Sequence, residues 1–331
     1  MFKLLYVLTD DEKMHYCTQL LISLSSLKKH TFNGQVFVLT DDLTENILSA
    51  KGLIQELRDL GAELIIAEIS NSYSQAEKSR YLKTSLPDYI SGDFLYIDTD
   101  TIIADNIPNA VSDAELAMVQ DKNWKQIDND PYTTVPITNR TVAFRSSLAE
   151  QLGYSLKIES RYFNSGVMWV RDTDTVHKFF TAWHNEWERC RSLGINRDQP
   201  SLNALNYKFG HIINELDGEW NVQVACPMAL RFLNDAIVLH YFNFESVYKL
   251  GNPEIQKGGY KSEAVQEIIN NPKYAFYPYR LMPLNMVDET CMYSRAYNLY
   301  RQLYIKHRKI YNGINRIASF LIKTKNALKK L

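Results

Sequence analysis

Four short apolar runs, separated by stretches with helical spacing, fill the first hundred residues and restrict the fold more than any other feature of the chain. Lys3–Leu8, Gln35–Thr40, Glu63–Ala67 and Phe94–Ile97 are rich in Leu, Ile, Val, Tyr and Phe. Runs of that length and composition predict buried strands. Between them, His15–Lys29 places Leu20, Leu21, Leu24 and Leu27 at helical spacing, and Leu43–Leu60 reads as one helix that Gly61 ends. Gln75–Tyr89 reads as helical segments broken by Pro87. Strand–helix alternation of this kind predicts an α/β fold with a parallel sheet covered by helices on both faces. Ligands of such sheets bind beyond the carboxyl ends of the strands.

The alternation loosens after residue 120. Leu116–Gln120 and Val167–Val170 read as strands, Thr175–Cys190 as a strong helix, Gln199–Tyr207 as a short one and Ile237–His240 as a last core strand. Asp121–Ser160 is polar, holds two prolines and lacks a clear period, so it reads as loops and small elements over a site. Trp183 and Trp187, one turn apart, read as helix packing, and Trp220 as packing beneath the site.

Charge is distributed unevenly. The last 42 residues, from Thr290 to Leu331, hold ten Lys or Arg and no Asp or Glu, whereas residues 1–289 carry 27 basic against 38 acidic groups. An acidic body with a basic end excludes a nucleic-acid-binding domain. The four cysteines, Cys17, Cys190, Cys226 and Cys291, form no Cys-x-x-Cys motif and read as small core residues of a reduced compartment. The apolar run at the amino terminus is too short for a signal peptide or a membrane span.

The fourth strand ends on Asp98-Thr99-Asp100. Two carboxylates one residue apart at the end of a buried strand cost free energy unless a cation lies between them. A divalent ion shared with nucleotide phosphate oxygens satisfies them; alternatively one Asp caps a turn and the other is solvated. A DxD after a strand also occurs in haloacid-dehalogenase phosphatases, but there it follows the first strand and needs a later acidic pair. No Asp-Asp pair follows residue 100.

The chain resembles glycosyltransferase family 8, the family of glycogenin and bacterial lipooligosaccharide galactosyltransferases. The resemblance spans roughly residues 1–245. It rests on LYIDTDTII at 95–103, YFNSGVMWVR at 162–171, DQPSLNAL at 198–205, EWNV at 219–222 and VLHY at 238–241, in that order. It implies a GT-A fold over residues 1–285, followed by a helical basic tail over 290–331. It also implies a retaining, metal-dependent transfer of a hexose from a UDP-sugar to a saccharide or glycolipid acceptor. The metal, Mn²⁺ or Mg²⁺, would be held by Asp98, Asp100 and His240, a donor set that suits Mn²⁺ better than Ca²⁺. Asp198 and Gln199 would stand at the reaction centre. Donor contacts would come from Thr9, Asp10, Arg80 (with Lys83 as the alternative), Thr99, Asp121, Asn164 and Ser165. Gly166 would allow close backbone approach. For Asp198, capping of the following helix is a further reading.

The chain departs from the family after His240. The family pattern continues with Gly, Lys and Trp at fixed spacing, whereas here the Gly and Trp are missing and the nearest lysine, Lys249, is nine residues on. The resemblance gives Lys249 the diphosphate. In the tail, Ile310, Ile314, Ile317, Leu321 and Leu328 follow helical spacing, with basic residues largely on the other faces. Such a helix lies on an anionic membrane surface, or docks on the body or on a second copy as a homodimer. The sequence expectation is a peripheral protein of the cytoplasmic membrane face. A DxD phosphatase and a non-catalytic sugar-nucleotide-binding protein are the alternatives.

Overall fold

The computed structural model describes residues 2–121, 149–154, 162–224, 227–241, 259–276 and 295–328. Strands β1 (Lys3–Leu8), β2 (Val36–Asp41), β3 (Ala62–Ala67) and β4 (Phe94–Ile97) form a parallel group, in which β1 pairs with both β2 and β4. The chain then enters β5 (Thr101–Ile103) of a second, three-stranded sheet. β6 (Leu116–Gln120) and β7 (Phe163–Val170) extend the first sheet, and β8 (Asn214–Glu215) edges it, giving the order β3-β2-β1-β4-β7-β6-β8. β9 (Val222–Gln223) and β10 (Val238–His240) complete the small sheet in the order β5-β10-β9.

Two sequence expectations need correction here. The large sheet is mixed, because β7 runs antiparallel to both β4 and β6. After Asp100 the chain continues into β5 instead of a crossover helix, so a simple parallel continuation of the alternation is lost. The expected single helix over 43–60 is two, α2 (Asp42–Ala50) and α3 (Leu53–Asp59). Gly52 between them takes φ +68°, a left-handed conformation that ends α2 and that glycine adopts without a Cβ penalty.

Strand alternation sends side chains into two cores. Leu4, Tyr6 and Leu8 of β1 pack with Leu20 and Leu24 of α1 (His15–Leu27) on one face. Leu5 and Val7 pack on the other face with Leu82 of α4 (Gln75–Thr84) and Phe179, Phe180 and Trp183 of α5 (Asp174–Ser192). All of these are buried, at about 1.5–3 kcal/mol for each large apolar side chain. β1 is covered on both sides, which is why it reads as an uninterrupted apolar run.

Trp183 and Trp187 are fully buried, as their spacing predicts, and they also brace the turn before α6 (Gln199–Lys208). Trp183 Nε1 donates to the Asp198 carbonyl at 3.1 Å, and Trp187 Nε1 donates to the Asn196 carbonyl at 3.4 Å. Trp220 is buried in the core on the α1 side. Cys17 and Cys190 are buried free thiols; Cys226 and Cys291 lie outside the described residues.

α4 begins on a capping box. The Ser74 hydroxyl accepts from the Glu77 amide, and the Glu77 carboxylate accepts from the Ser74 amide. One turn into α4, Lys78 donates to Asp41 Oδ1 at 2.8 Å, with both side chains almost fully buried. Asp41 Oδ2 accepts from Thr44 Oγ1 at 2.6 Å, and Thr44 Oγ1 accepts from the Asp10 amide at 3.0 Å. The ends of β1 and β2 are thus tied to α4 through one buried ion pair. Lys78→Met should destabilise the protein by about 3–5 kcal/mol, because it strands an uncompensated carboxylate in the core. Urea unfolding checks this; a loss within experimental error would mean that Asp41 is neutralised another way.

Candidate active site

The antiparallel register of β10 on β5 sets His240 opposite Thr101, directly beside the Asp98–Asp100 turn. His240 Nε2 lies 3.1 Å from Asp100 Oδ1 and 4.0 Å from Asp98 Oδ2. One ligand atom from each of the three residues falls within 4.8 Å of the others. Two carboxylate oxygens and an imidazole nitrogen converging from two strands fit a small divalent cation. Burial raises the Asp100 pKa, but the neighbouring His240 and then Lys83 outweigh it, so the carboxyl is held below its usual range.

His240 is aimed by a chain of amides. Its Nδ1 lies 3.0 Å from Asn221 Oδ1, which turns Nε2 toward the carboxylates. Asn221 Nδ2 donates to Asn164 Oδ1 at 3.0 Å, and the Gly166 amide donates to the same oxygen at 2.8 Å. Asn164 Nδ2 reaches Asp121 Oδ1 at 3.3 Å. Gly166 is required by contact: a Cβ there would stand 2.4 Å from His240 Cε1. The Gly166 carbonyl also accepts the Asp98 amide at 2.8 Å, which fixes the start of the turn.

A second group of charges adjoins the first. Lys83 of α4, only 7% exposed, donates to Asp98 Oδ1 at 2.9 Å and stands 3.7 Å from Asp198 Oδ2. Tyr96 Oη donates to the same Asp98 Oδ1 at 2.5 Å, and the Lys83 ammonium lies 5.1 Å from the Tyr96 ring centre. Asp198 Oδ2 accepts from Ser165 Oγ at 2.7 Å, and Arg80 Nε lies 4.0 Å from Asp198 Oδ1. Burial raises the Asp198 pKa, but Lys83, Arg80 and the Ser165 hydroxyl more than offset it and keep it below the usual range. The capping reading of Asp198 is not what the fold uses. Its side chain makes no bond to the α6 amides; instead its backbone carbonyl accepts Ser201 Oγ at 2.8 Å. Gln199 Nε2 donates to the Phe163 carbonyl at 3.0 Å, which pins the next residue against β7.

A cleft beside this cluster is lined by Thr9, Arg80, Lys83, Asp98, Thr99 and Asp100. Thr9 Oγ1 donates to the Gln75 carbonyl at 2.9 Å. Asp10 is buried and turned to the backbone, where its carboxylate accepts the Cys17 amide at 2.6 Å and the Asp11 amide at 2.9 Å. It serves the open amides at the start of α1. Lys249 and most of the 121–160 segment lie outside the described residues. Sequence reasoning gave Asn221 no role, although it lies within EWNV, and set Lys83 behind Arg80. Helical spacing alone cannot tell which of two nearby bases is buried.

The fold and site together define a GT-A glycosyltransferase. The model of the family described as Glycosyl transferase family 8 matches residues 6–245, and the chain belongs to that family. Among solved structures, galactosyltransferase LgtC in complex with donor and acceptor sugar analogues is similar at 16% identity and a TM-score of 0.50, over 81% of this chain and 95% of that one. An active-site Gln-to-Glu mutant of LgtC is similar at 13% identity and a TM-score of 0.51, over 87% and 100%. Mouse xyloside xylosyltransferase 1 is similar at 13% identity and a TM-score of 0.46, over 73% and 97%. No curated protein sequence matches the chain.

Asn221→Ala removes the partner of His240 Nδ1 and frees the imidazole to turn. Affinity for a divalent cation, probed with Mn²⁺ by calorimetry, should fall about tenfold or more. Unchanged affinity would mean that His240 is oriented without Asn221.

Proposed function

We propose that this glycosyltransferase is metal-dependent and retaining, and that it moves a hexose from a UDP-sugar to a glycan or lipid-linked saccharide. The observation that carries the reading is the convergence of Asp98, Asp100 and His240 beside the Lys83–Asp198 pair. Bound there, Mn²⁺ or Mg²⁺ would supply Lewis-acid stabilisation of the charge that develops on the diphosphate leaving group.

The remaining roles belong to the chain. Thr9 and Thr99 line the nucleotide cleft, and Asp10 holds the loop that shapes it. Arg80, with Lys83, offsets the negative charge of the donor and of Asp198. Asp198 orients the donor sugar, supported by Ser165, while Asp121 and Asn164 frame the sugar's far side. With Nε2 engaged by the Phe163 carbonyl, the amide oxygen of Gln199 is the atom suited to a positive anomeric centre. The acceptor hydroxyl attacks on the face from which the diphosphate leaves, and a departing diphosphate oxygen takes its proton, so configuration is retained. Lys249 is assigned to the diphosphate.

Asp98→Ala and Asp100→Ala should each abolish Mn²⁺-dependent UDP binding and turnover while leaving the far-UV spectrum unchanged. Gln199→Ala should lower turnover much more than donor affinity, as expected of a contact made mainly in the transition state. Normal Mn²⁺-dependent activity in either Asp variant would refute the metal assignment. UDP binding without turnover on any saccharide would favour a sugar-nucleotide-binding protein, and phosphate-ester hydrolysis without UDP binding a phosphatase.

The catalytic domain is assigned to residues 1–285 and a peripheral membrane tail to 290–331. α7 (Arg295–Lys306) and α8 (Arg308–Leu328) meet through Tyr300, Tyr304 and Tyr311, whose rings are in contact. Ile310, Ile314, Ile317, Phe320 and Leu321 of α8 are exposed. No helix among the described residues is long and apolar enough to cross a membrane. An exposed apolar stripe on a basic helix suits the anionic cytoplasmic face of a membrane. The double variant Ile317→Glu, Leu321→Glu should keep UDP binding yet lose most sedimentation with anionic vesicles. If it co-sediments as the parent does, the stripe is a packing surface, for the body or for a second copy.

A further inference from the structure

Gln19 of α1 is 1% exposed, and neither Nε2 nor Oε1 of its amide has a hydrogen-bond partner among the described residues. Burying such a group unpaired costs free energy. Its side chain nevertheless lines the cleft that Thr99 and Asp100 share.

Its neighbours on the same helix face have evident partners or positions. One turn further along α1, Ser23 Oγ lies 3.1 Å from Tyr6 Oη and 3.0 Å from Thr101 Oγ1. Thr101 Oγ1 donates in turn to the Asp98 carbonyl at 2.8 Å. One turn back, Tyr16 lines the same cleft with its side chain 48% exposed. Gln19 therefore stands between an open aromatic ring and the carboxylate turn.

A nucleoside diphosphate fills a cleft in a fixed order of planar base, ribose and diphosphate. With the diphosphate at Asp98 and Asp100, and the base against the Tyr16 ring, the ribose falls at Gln19. A primary amide offers both a donor and an acceptor, and so does each ribose hydroxyl. We propose that Gln19 is a specificity-determining residue that binds the ribose hydroxyls of the donor nucleotide, an inference that rests on the UDP-sugar reading above. Seating the ribose takes a turn of the Gln19 side chain, since its amide is shielded from water. The nucleotide then supplies the partners that the amide lacks among the described residues.

Calorimetric titration of the full-length protein in Mn²⁺ tests this with UDP, 2′-deoxy-UDP and 3′-deoxy-UDP. The parent should bind at least one deoxy analogue about tenfold more weakly than UDP, the loss of one or two neutral hydrogen bonds. Gln19→Ala and Gln19→Met should bind UDP about tenfold more weakly than the parent does, with little further loss on that analogue, because the two deletions remove the same contact. Gln19→Met should also raise the ligand-free melting temperature, since it replaces an unpaired amide with an apolar group of similar size. Three results overturn the proposal: variants that bind UDP like the parent, equal losses on UDP and both analogues, or a parent indifferent to both ribose hydroxyls. A parent that binds no UDP brings down the UDP-sugar reading itself, and this inference with it.

Discussion

Asp98 and Asp100 follow a strand that is buried on both faces, and their mutual repulsion in a poorly solvated turn must be answered by positive charge or hydrogen-bond donors. The answer comes from opposite sides. Lys83 reaches Asp98 from α4, and His240 reaches Asp100 from β10. The two carboxylates are thereby held ready on one side of a cleft. Because Lys83 also lies near Asp198, one ammonium joins the carboxylate turn to the segment that begins α6.

Precision at this centre comes from groups that do not face the cleft. The amides of Asn164 and Asn221 link Asp121, Gly166 and His240, residues from β6, β7, β10 and the turn before β9. Each amide is used as donor and acceptor, which fixes its orientation and, through it, that of the imidazole ring. Gly166 admits the ring at a distance that no other residue allows. On the opposite wall, Trp183 and Ser201 hold the Asp198 backbone while Ser165 holds its carboxylate. A cluster with its supports distributed in this way transmits packing changes in α5 or β7 to Asp198 and His240.

The stability of the frame and the chemistry of the site share parts. The buried Lys78–Asp41 pair positions Thr44, which bonds the Asp10 backbone, and Asp10 closes the first turn of α1. The same helix carries Tyr16 and Gln19 along the cleft. α1 is at once a core element through Leu20 and Leu24 and a wall of the binding site, so its placement governs both.

Patterns local in sequence determined a large part of this protein. Period and composition set β1, β2, β3, β4 and β6 nearly to the residue, because each is a short apolar run that can be satisfied only inside a sheet. The DxD at the end of β4 and the order of the later motifs indicated the family and the residues Asp98, Asp100, Asp198 and His240. Tertiary structure alone decided the rest. The antiparallel entry of β7 depends on where the chain returns after a long excursion, which no local period encodes. Lys83 and Arg80 lie three residues apart on one helix, and only the packing of α4 against β1, β2 and α5 buries the first and leaves the second half-exposed. Asn221 gains its role from pairing with His240, nineteen positions away, and Gln19 stands out only because the folded chain buries its amide without a partner among the described residues. Hydrogen bonds between distant segments are a property of where those segments meet, and that is fixed by the packing of the whole chain.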